Sequence, residues 1–317
     1  MKILITGGAG YVGGAVTDYL MSGARWFHEI VVFDNLTFDE QYSKPCRFVR
    51  GDVRNIDELK PWLEWADVVI WLAALVGDGA CRAREADAID INLGAVKTLA
   101  DNFNGRILFT STCSVYGAQD GVIDESSPTN PLSTYARTKL EAESVLLGAN
   151  KNAVILRFGT LFGISDSYAR IRFDLVVNAM TRSAVETGRI DVFGGSQWRP
   201  LLHVDDAGRI LVRMAMECSP GIYNLHAFNS QIMDIAEAVR WNVGEHVQIN
   251  TTEMSTIDTR NYRVLSQPAH MMGYNPTHGL EDGIREIKHA LDSKRIRNPF
   301  SDRYTNESYL VNERDRQ

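Results

Sequence analysis

The chain has 317 residues, 44% of them apolar and 23% charged. That composition excludes wholesale disorder, a collagen-like fibre and a coiled coil, and the length provides for one large or two small domains. A formal net charge of −7 leaves no global basic field to attract nucleic acid or an anionic membrane, so neither is expected as a partner.

Residues 2–6 read as a strand that begins directly after Met1, without the apolar stretch of a signal peptide. No run approaches 18 apolar residues, so no bilayer-spanning segment is expected. A helix follows over 11–21, with Val12, Val16, Tyr19 and Leu20 on one face and Gly23 to end it. Residues 30–34 and 46–49 are the second and third strands. The continuous apolar run 67–72 suits a strand buried on both faces. A helix over 89–103, a strand over 106–110, a helix over 133–147 and a sixth strand over 153–157 complete the first half. Strands separated by helices imply right-handed βαβ units. The expected fold class is therefore α/β, a doubly wound parallel sheet of the Rossmann type with strand order 3-2-1-4-5-6.

The pattern changes after residue 164. Helices are expected over 173–187 and 205–216, with a strand over 189–193 and a Gly194-Gly195 turn. Residues 1–165 are assigned to a dinucleotide-binding domain, to which part of 200–228 returns. Residues 166–200 and 229–291 are assigned to a smaller mixed α/β substrate lobe. Residues 292–317 form a polar tail that wraps the surface or frays. The four cysteines, Cys46, Cys81, Cys113 and Cys218, have no zinc-ligand spacing and read as reduced thiols of a cytoplasmic protein.

Gly7, Gly10 and Gly13 lie between the first strand and the first helix. Glycines there permit a tight turn, a close backbone approach to a pyrophosphate and close helix–strand packing, and the amides of Tyr11 and Val12 open a helix N-terminus toward the anion. The triplet alone also fits an ordinary turn. What marks it as a cofactor loop is the acidic Asp34, followed by Asn35, at the end of the second strand and 21 positions after Gly13. A carboxylate there accepts hydrogen bonds from a ribose diol and repels a 2′-phosphate. No arginine adjoins it, so the expected cofactor is NAD and not NADP. Asp52 and Val53 follow the third strand; they either flank the adenine or serve as turn and capping residues.

Tyr135 and Lys139 lie four residues apart on the 133–147 helix and so share a face. An ammonium beside a phenol stabilises the phenolate, and lowering a tyrosine pKa from about 10 to about 7 takes roughly 4 kcal/mol. The pair lies 23 residues beyond Thr112, just past the strand over 106–110, where such a fold opens its ligand crevice.

Taken together, TGGAGYVGG at the start, FDNL around Asp34, GDVRN around Asp52, WLAAL around Ala73 and Ala74, FTSTCSVYG, YARTK, LRFGTLFG, RPLLHVDD and DTRNYRV resemble the extended short-chain dehydrogenase/reductase family, in its nucleotide-sugar epimerase/dehydratase branch. The resemblance implies a catalytic set of Thr112, with Ser111 as runner-up, Tyr135 as general base and acid, and Lys139 on the nicotinamide ribose. It puts Ala73 and Ala74 beside the cofactor and Asn92 in the helix behind it. It places Thr160, Asn178, Phe193, Arg199 and Arg260 against a nucleotide-diphosphate sugar, the arginines because a planar guanidinium can bond two phosphate oxygens. His203 falls in the HVDD stretch, where a structural role ahead of a helix is expected. Relatives often pair through helices that include the one carrying Tyr135, which makes a homodimer the expected assembly.

The implied activity is epimerisation at C4 through a transient 4-keto sugar. A 4-keto-sugar reductase is the runner-up, a 4,6-dehydratase follows, and a non-catalytic scaffold comes last because Tyr135 and Lys139 are both present. Dehydratases of this family place Asp and Glu directly after the catalytic threonine; here Cys113 and Ser114 stand there.

Overall fold

The structure is a computed structural model and describes residues 1–22, 29–39, 41–119, 121–149, 151–252 and 261–314. Seven strands form one parallel sheet in the order Arg47–Arg50, Glu29–Asp34, Lys2–Thr6, Val68–Trp71, Arg106–Thr112, Ala153–Phe158, Gly221–Leu225. The first six reproduce the expected 3-2-1-4-5-6 order. The seventh, Gly221–Leu225, pairs parallel with Ala153–Phe158.

Both faces of this sheet are covered, and the period-2 alternation of each strand divides its side chains between them. Ile3, Ile5, Val68 and Ile70 pack against Val16 and Leu20 of helix Tyr11–Ser22 and Ile210 and Leu211 of helix Val204–Glu217. Leu4, Val31, Phe33, Val69 and Trp71 pack on the other side, with Leu59, Val96, Leu99 and Leu146. Burial of each large side chain contributes roughly 1.5–3 kcal/mol. The two helices of the first face approach closely at Gly208, where a Cβ would lie 2.7 Å from the Ala15 Cβ.

The helix expected over 89–103 is instead three pieces. Glu85–Ile89 and Ala95–Asn102 are α-helical, and Asp90–Gly94 between them is a π turn. The wider turn carries Asn92 into the interior, where it is 1% exposed. Single π turns of this kind are frequent near functional sites. The helix expected from residue 173 starts later, at Val176. Phe173 is withdrawn from it because its amide donates to the Tyr304 carbonyl at 2.8 Å.

The second lobe holds a three-stranded sheet of Phe228–Gln231, Trp198–His203 and Thr160–Phe162, and a pair of Arg189–Phe193 with Gln248–Thr252. Helices Val176–Thr187, Ile232–Val243 and Leu280–Asp292 enclose its core of Phe162, Val177, Ile190, Val192, Ile235 and Ile284. Beyond it, within the described part of the tail, a 3-10 turn, Asp302–Tyr304, leads into helix Asn306–Arg314, which packs on helix Asp78–Ala83. Among the described residues no helix is long and apolar enough to cross a membrane.

Candidate active site

The C-terminal ends of the central strands open into one cavity of about 810 Å³. Gly7, Gly10, Tyr11, Val12 and Gly13 form its floor. Gly7 has φ +72°, and a Cβ there would lie 2.5 Å from the Ala73 amide nitrogen. The loop therefore rests directly on the strand end that carries Ala73 and Ala74, and both alanines line the cavity. A Cβ at Gly13 would come within 2.5 Å of the Gly8 backbone, so this close turn also excludes a side chain. The first amides of the helix have no partner within it, which leaves them for an anion at this end.

Asp34 lines the cavity at the end of the second strand. Its carboxylate accepts from the Leu36 amide at 2.8 Å and the Ala9 amide at 3.1 Å. Burial raises its pKa and those two bonds oppose the rise. Asn35 accepts from the Thr37 amide and hydroxyl at 3.1 and 2.7 Å and donates to Asp52 at 3.4 Å. The Arg54 guanidinium, 2.7 Å from Asp52, holds that carboxyl below the usual range. Val53 lies beside it on the cavity wall. Asn92 sits behind the wall. It accepts from the Leu75 amide at 2.8 Å and donates to the Leu75 carbonyl at 3.0 Å and the Thr138 hydroxyl at 3.3 Å. The loop after the fourth strand is thereby tied to the helix of Tyr135.

Thr112 ends strand Arg106–Thr112, and its hydroxyl oxygen accepts from the Ser114 amide at 3.1 Å, capping the turn Cys113–Tyr116. Helix Thr134–Gly148 starts with Ser133 as its cap. That cap puts Tyr135 in the first turn and Lys139 one turn on, both facing the cavity. Lys139 is 2% exposed. Its ammonium donates to the Thr110 carbonyl at 2.8 Å and lies 4.7 Å from the Phe109 ring centroid. Burial pulls its pKa down to about 8, a shift that the nearby Glu143 carboxylate opposes. Burial pushes the Tyr135 phenol well above its ordinary value, and the cation opposing this is Arg172. Arg172 also lines the cavity, bonded to Asp174 at 3.0 and 2.9 Å.

Ser111 borders the same cavity but donates its hydroxyl to Glu143. Glu143 is fully buried and paired with Arg157 at 2.6 Å, and Arg157 in turn donates to the Tyr116 hydroxyl at 2.8 Å. This network fixes the strand behind Thr112 and commits the Ser111 hydroxyl, while Thr112 and Ser114 also line the cavity. The Cys113 thiol turns away and donates to the Arg157 carbonyl at 3.2 Å, and burial pushes its pKa up.

On the second-lobe side, Thr160, Phe193 and Arg199 line the cavity. Arg199 is 5% exposed and donates to the Trp198 carbonyl at 2.8 Å. Asn178 departs from the expected substrate contact. It is fully buried, accepts from the Gly163 amide at 3.0 Å, and donates to the Gly163 and Arg172 carbonyls at 2.9 Å each. Its amide is fully committed to shaping the loop that leads to Arg172. Arg260 lies outside the described residues. His203 caps helix Val204–Glu217 through the Asp205 amide at 3.3 Å and meets Glu286 at 3.0 Å, away from the cavity.

Sequence reasoning missed Arg172 and Asp174, and it missed Thr305, Asn306, Glu307 and Leu310 of the tail, which all line the cavity. The Arg-x-Asp spacing was a faint signal for the first pair. The tail carried none, because its helix has no strong apolar stripe.

A dinucleotide fits these residues: a glycine cradle in which a Cβ would collide with backbone, a helix N-terminus above it, and a carboxylate at the end of the second strand. Residues 3–225 match the model of the NAD dependent epimerase/dehydratase family. The chain is 32% identical to the UDP-glucose 4-epimerase of Streptomyces lividans over 157 residues, 46% of this chain and 47% of that protein. It is 25% identical to UDP-glucuronic acid decarboxylase 3 of Arabidopsis thaliana over 90% of this chain and 87% of that one. It superposes with TM-score 0.81 and 23% identity on the dTDP-glucose 4,6-dehydratase DesIV of Streptomyces venezuelae, solved with NAD, covering 93% and 98% of the two chains. The chain belongs to the NAD-dependent epimerase/dehydratase family.

Proposed function

We propose that this protein epimerises a nucleotide-diphosphate sugar at C4, with NAD as its cofactor. The observation that carries the reading is one cavity lined by the dinucleotide cradle, Asp34, Thr112, Tyr135 and Lys139 together with Arg199 of the second lobe.

Bound NAD supplies the acceptor, and later the donor, of a hydride at the sugar carbon. Gly7, Gly10 and Gly13 admit its pyrophosphate, and Asp34 takes the adenosine ribose diol. Lys139, fixed by the Thr110 carbonyl, is placed for the second ribose. Thr112 orients the C4 oxygen. Tyr135 takes the proton of the C4 hydroxyl and gives it back after the 4-keto sugar has turned over. Such transfer by a positioned side chain contributes on the order of 10²–10⁴ in rate. A phenol raised by burial needs nearby positive charge to serve as a base, and Arg172 already contributes some. Arg199 is suited to grip the diphosphate.

Epimerisation is favoured over dehydration by the two positions after Thr112. Removing water across C5 and C6 requires a base and an acid, and Cys113 points behind the wall while Ser114 offers only a hydroxyl. Glu125 does not replace them: it accepts from the Asn224 amide at 2.8 Å and lies off the cavity. The test is to purify the protein and supply nucleotide sugars without any reductant. Continued turnover with a fixed, stoichiometric NAD and a product of unchanged mass supports the epimerase. An absolute need for added NADH or NADPH transfers the assignment to a 4-keto-sugar reductase.

A further inference from the structure

The tail bridges the two loops that flank the glycine cradle. Phe38 and Asp39 lie four and five residues beyond Asp34, in the loop after the second strand. Tyr309 packs on Phe38 with ring centroids 5.3 Å apart, and Arg303 meets Asp39 at 3.4 Å. The other loop follows Ala73 and Ala74. Asn306 donates to its Val76 carbonyl at 2.8 Å, and Leu310 is 1% exposed in a cluster with Leu75, Ala80 and Cys81 on which Tyr135 also packs. The first strand and its glycine loop lie between these two loops in the sheet order, so the tail crosses above the cradle. Thr305, Asn306, Glu307 and Leu310 accordingly form part of the cavity wall.

A second set of bonds seats the same segment on the substrate side. The Asn306 amide donates to Asp174 at 3.1 Å, and Asp174 is the partner of Arg172. Arg170 donates to the Arg303 carbonyl at 2.6 Å and to the Asn306 side chain. The seat is close: a Cβ on Gly79 would lie 2.4 Å from the Glu307 carboxyl carbon. Apart from Asn306 and its partner Arg170, which are buried, the segment faces solvent along much of its length, and Leu310 is the one deeply buried apolar anchor of helix Asn306–Arg314. Segments held in this way open locally at a small fraction of the global unfolding free energy.

From this placement we infer that residues 302–314 are a clasp over the dinucleotide site, which must open for the cofactor to enter or leave. The inference rests on the NAD reading above and deepens it. A cofactor that ends each cycle as it began never has to leave, so a covered site costs an epimerase nothing in turnover, whereas a reductase would open it every cycle.

The test uses the full chain, unmodified and as the double variant Tyr309→Ala/Leu310→Ala. Each is loaded with labelled NAD and chased with excess unlabelled NAD. Release from the double variant is expected to be at least about 10-fold faster. Amide hydrogen exchange over residues 302–314 of the unmodified protein is expected to slow when NAD is added, and this second measurement decides the matter if the variant does not fold. Equal release rates from the two folded proteins, or tail exchange indifferent to bound NAD, would overturn the clasp and leave the NAD reading intact. Failure of the unmodified chain to bind NAD at all would overturn both.

Discussion

The Lys139 ammonium donates to the Thr110 carbonyl at 2.8 Å, two residues before Thr112. The bond ties the helix that carries Tyr135 to the strand that carries Thr112, so the relative position of the three groups is set by backbone before any ligand arrives. It also holds an amine in the interior, where burial lowers its pKa to about 8.

That shift makes Lys139 a pH-dependent term in stability. The folded pKa lies below the unfolded value of about 10.4. Between about pH 8 and that value the unfolded chain binds a proton that the folded chain lacks, so this group's contribution to stability rises with pH and its penalty is full below about pH 8. In the cofactor-free protein Lys139→Met removes the penalty. Its stability relative to the parent is expected to fall by about 2 kcal/mol from about pH 7.5 to about pH 9.5. Urea unfolding of both proteins at the two pH values measures this, and a difference that does not change with pH would contradict the buried, titrating amine.

Tyr135→Phe keeps the ring and removes the proton-transfer group. Turnover is expected to fall by on the order of 10²–10⁴, with NAD affinity changed little, because the ring still fills the same apolar cluster. Steady-state kinetics together with an NAD titration separate the two effects. Full turnover by the variant would remove Tyr135 from its role.

Asp34 accepts two backbone amides and faces the cavity, so it both shapes the loop and, in this reading, selects the cofactor. Asp34→Asn keeps one oxygen acceptor and removes the charge that repels a 2′-phosphate. The ratio of NADP to NAD dissociation constants is expected to exceed one in the parent and to fall about 10-fold or more in the variant, by isothermal titration. Equal affinities in the parent would contradict the assignment.

The strand order could be read from the sequence because most strands of the first half are short apolar runs that alternate with helical patterns, which is the signature of βαβ units. The glycine loop, Asp34 and the Tyr135–Lys139 pair were legible for a similar reason: all are local spacings. What escaped was contact between distant parts of the chain. Glu143 reads as one more exposed helix carboxylate until Arg157 is brought beside it from the sixth strand. Asn92 is set behind the cofactor by its motif, but its bonds to the Leu75 backbone and to Thr138 form only where the π turn carries it inward. Asn178 matched a substrate-contacting position by motif, but the loop at Gly163 takes its whole amide. The tail looked featureless because its partners, Phe38, Val76, Arg170 and Asp174, are scattered over more than a hundred residues and meet only in the fold.

The central claim, that hydride removal at C4 ends in epimerisation, is tested most directly by the mass and stereochemistry of the product. The purified protein with bound NAD is incubated with UDP-, dTDP-, GDP- and CDP-sugars, and the products are followed by mass spectrometry and NMR. The account expects one of these to return an isomer of unchanged mass, inverted at C4. Sustained release of a product lighter by one water, or by one carbon dioxide from a uronic acid substrate, would contradict it.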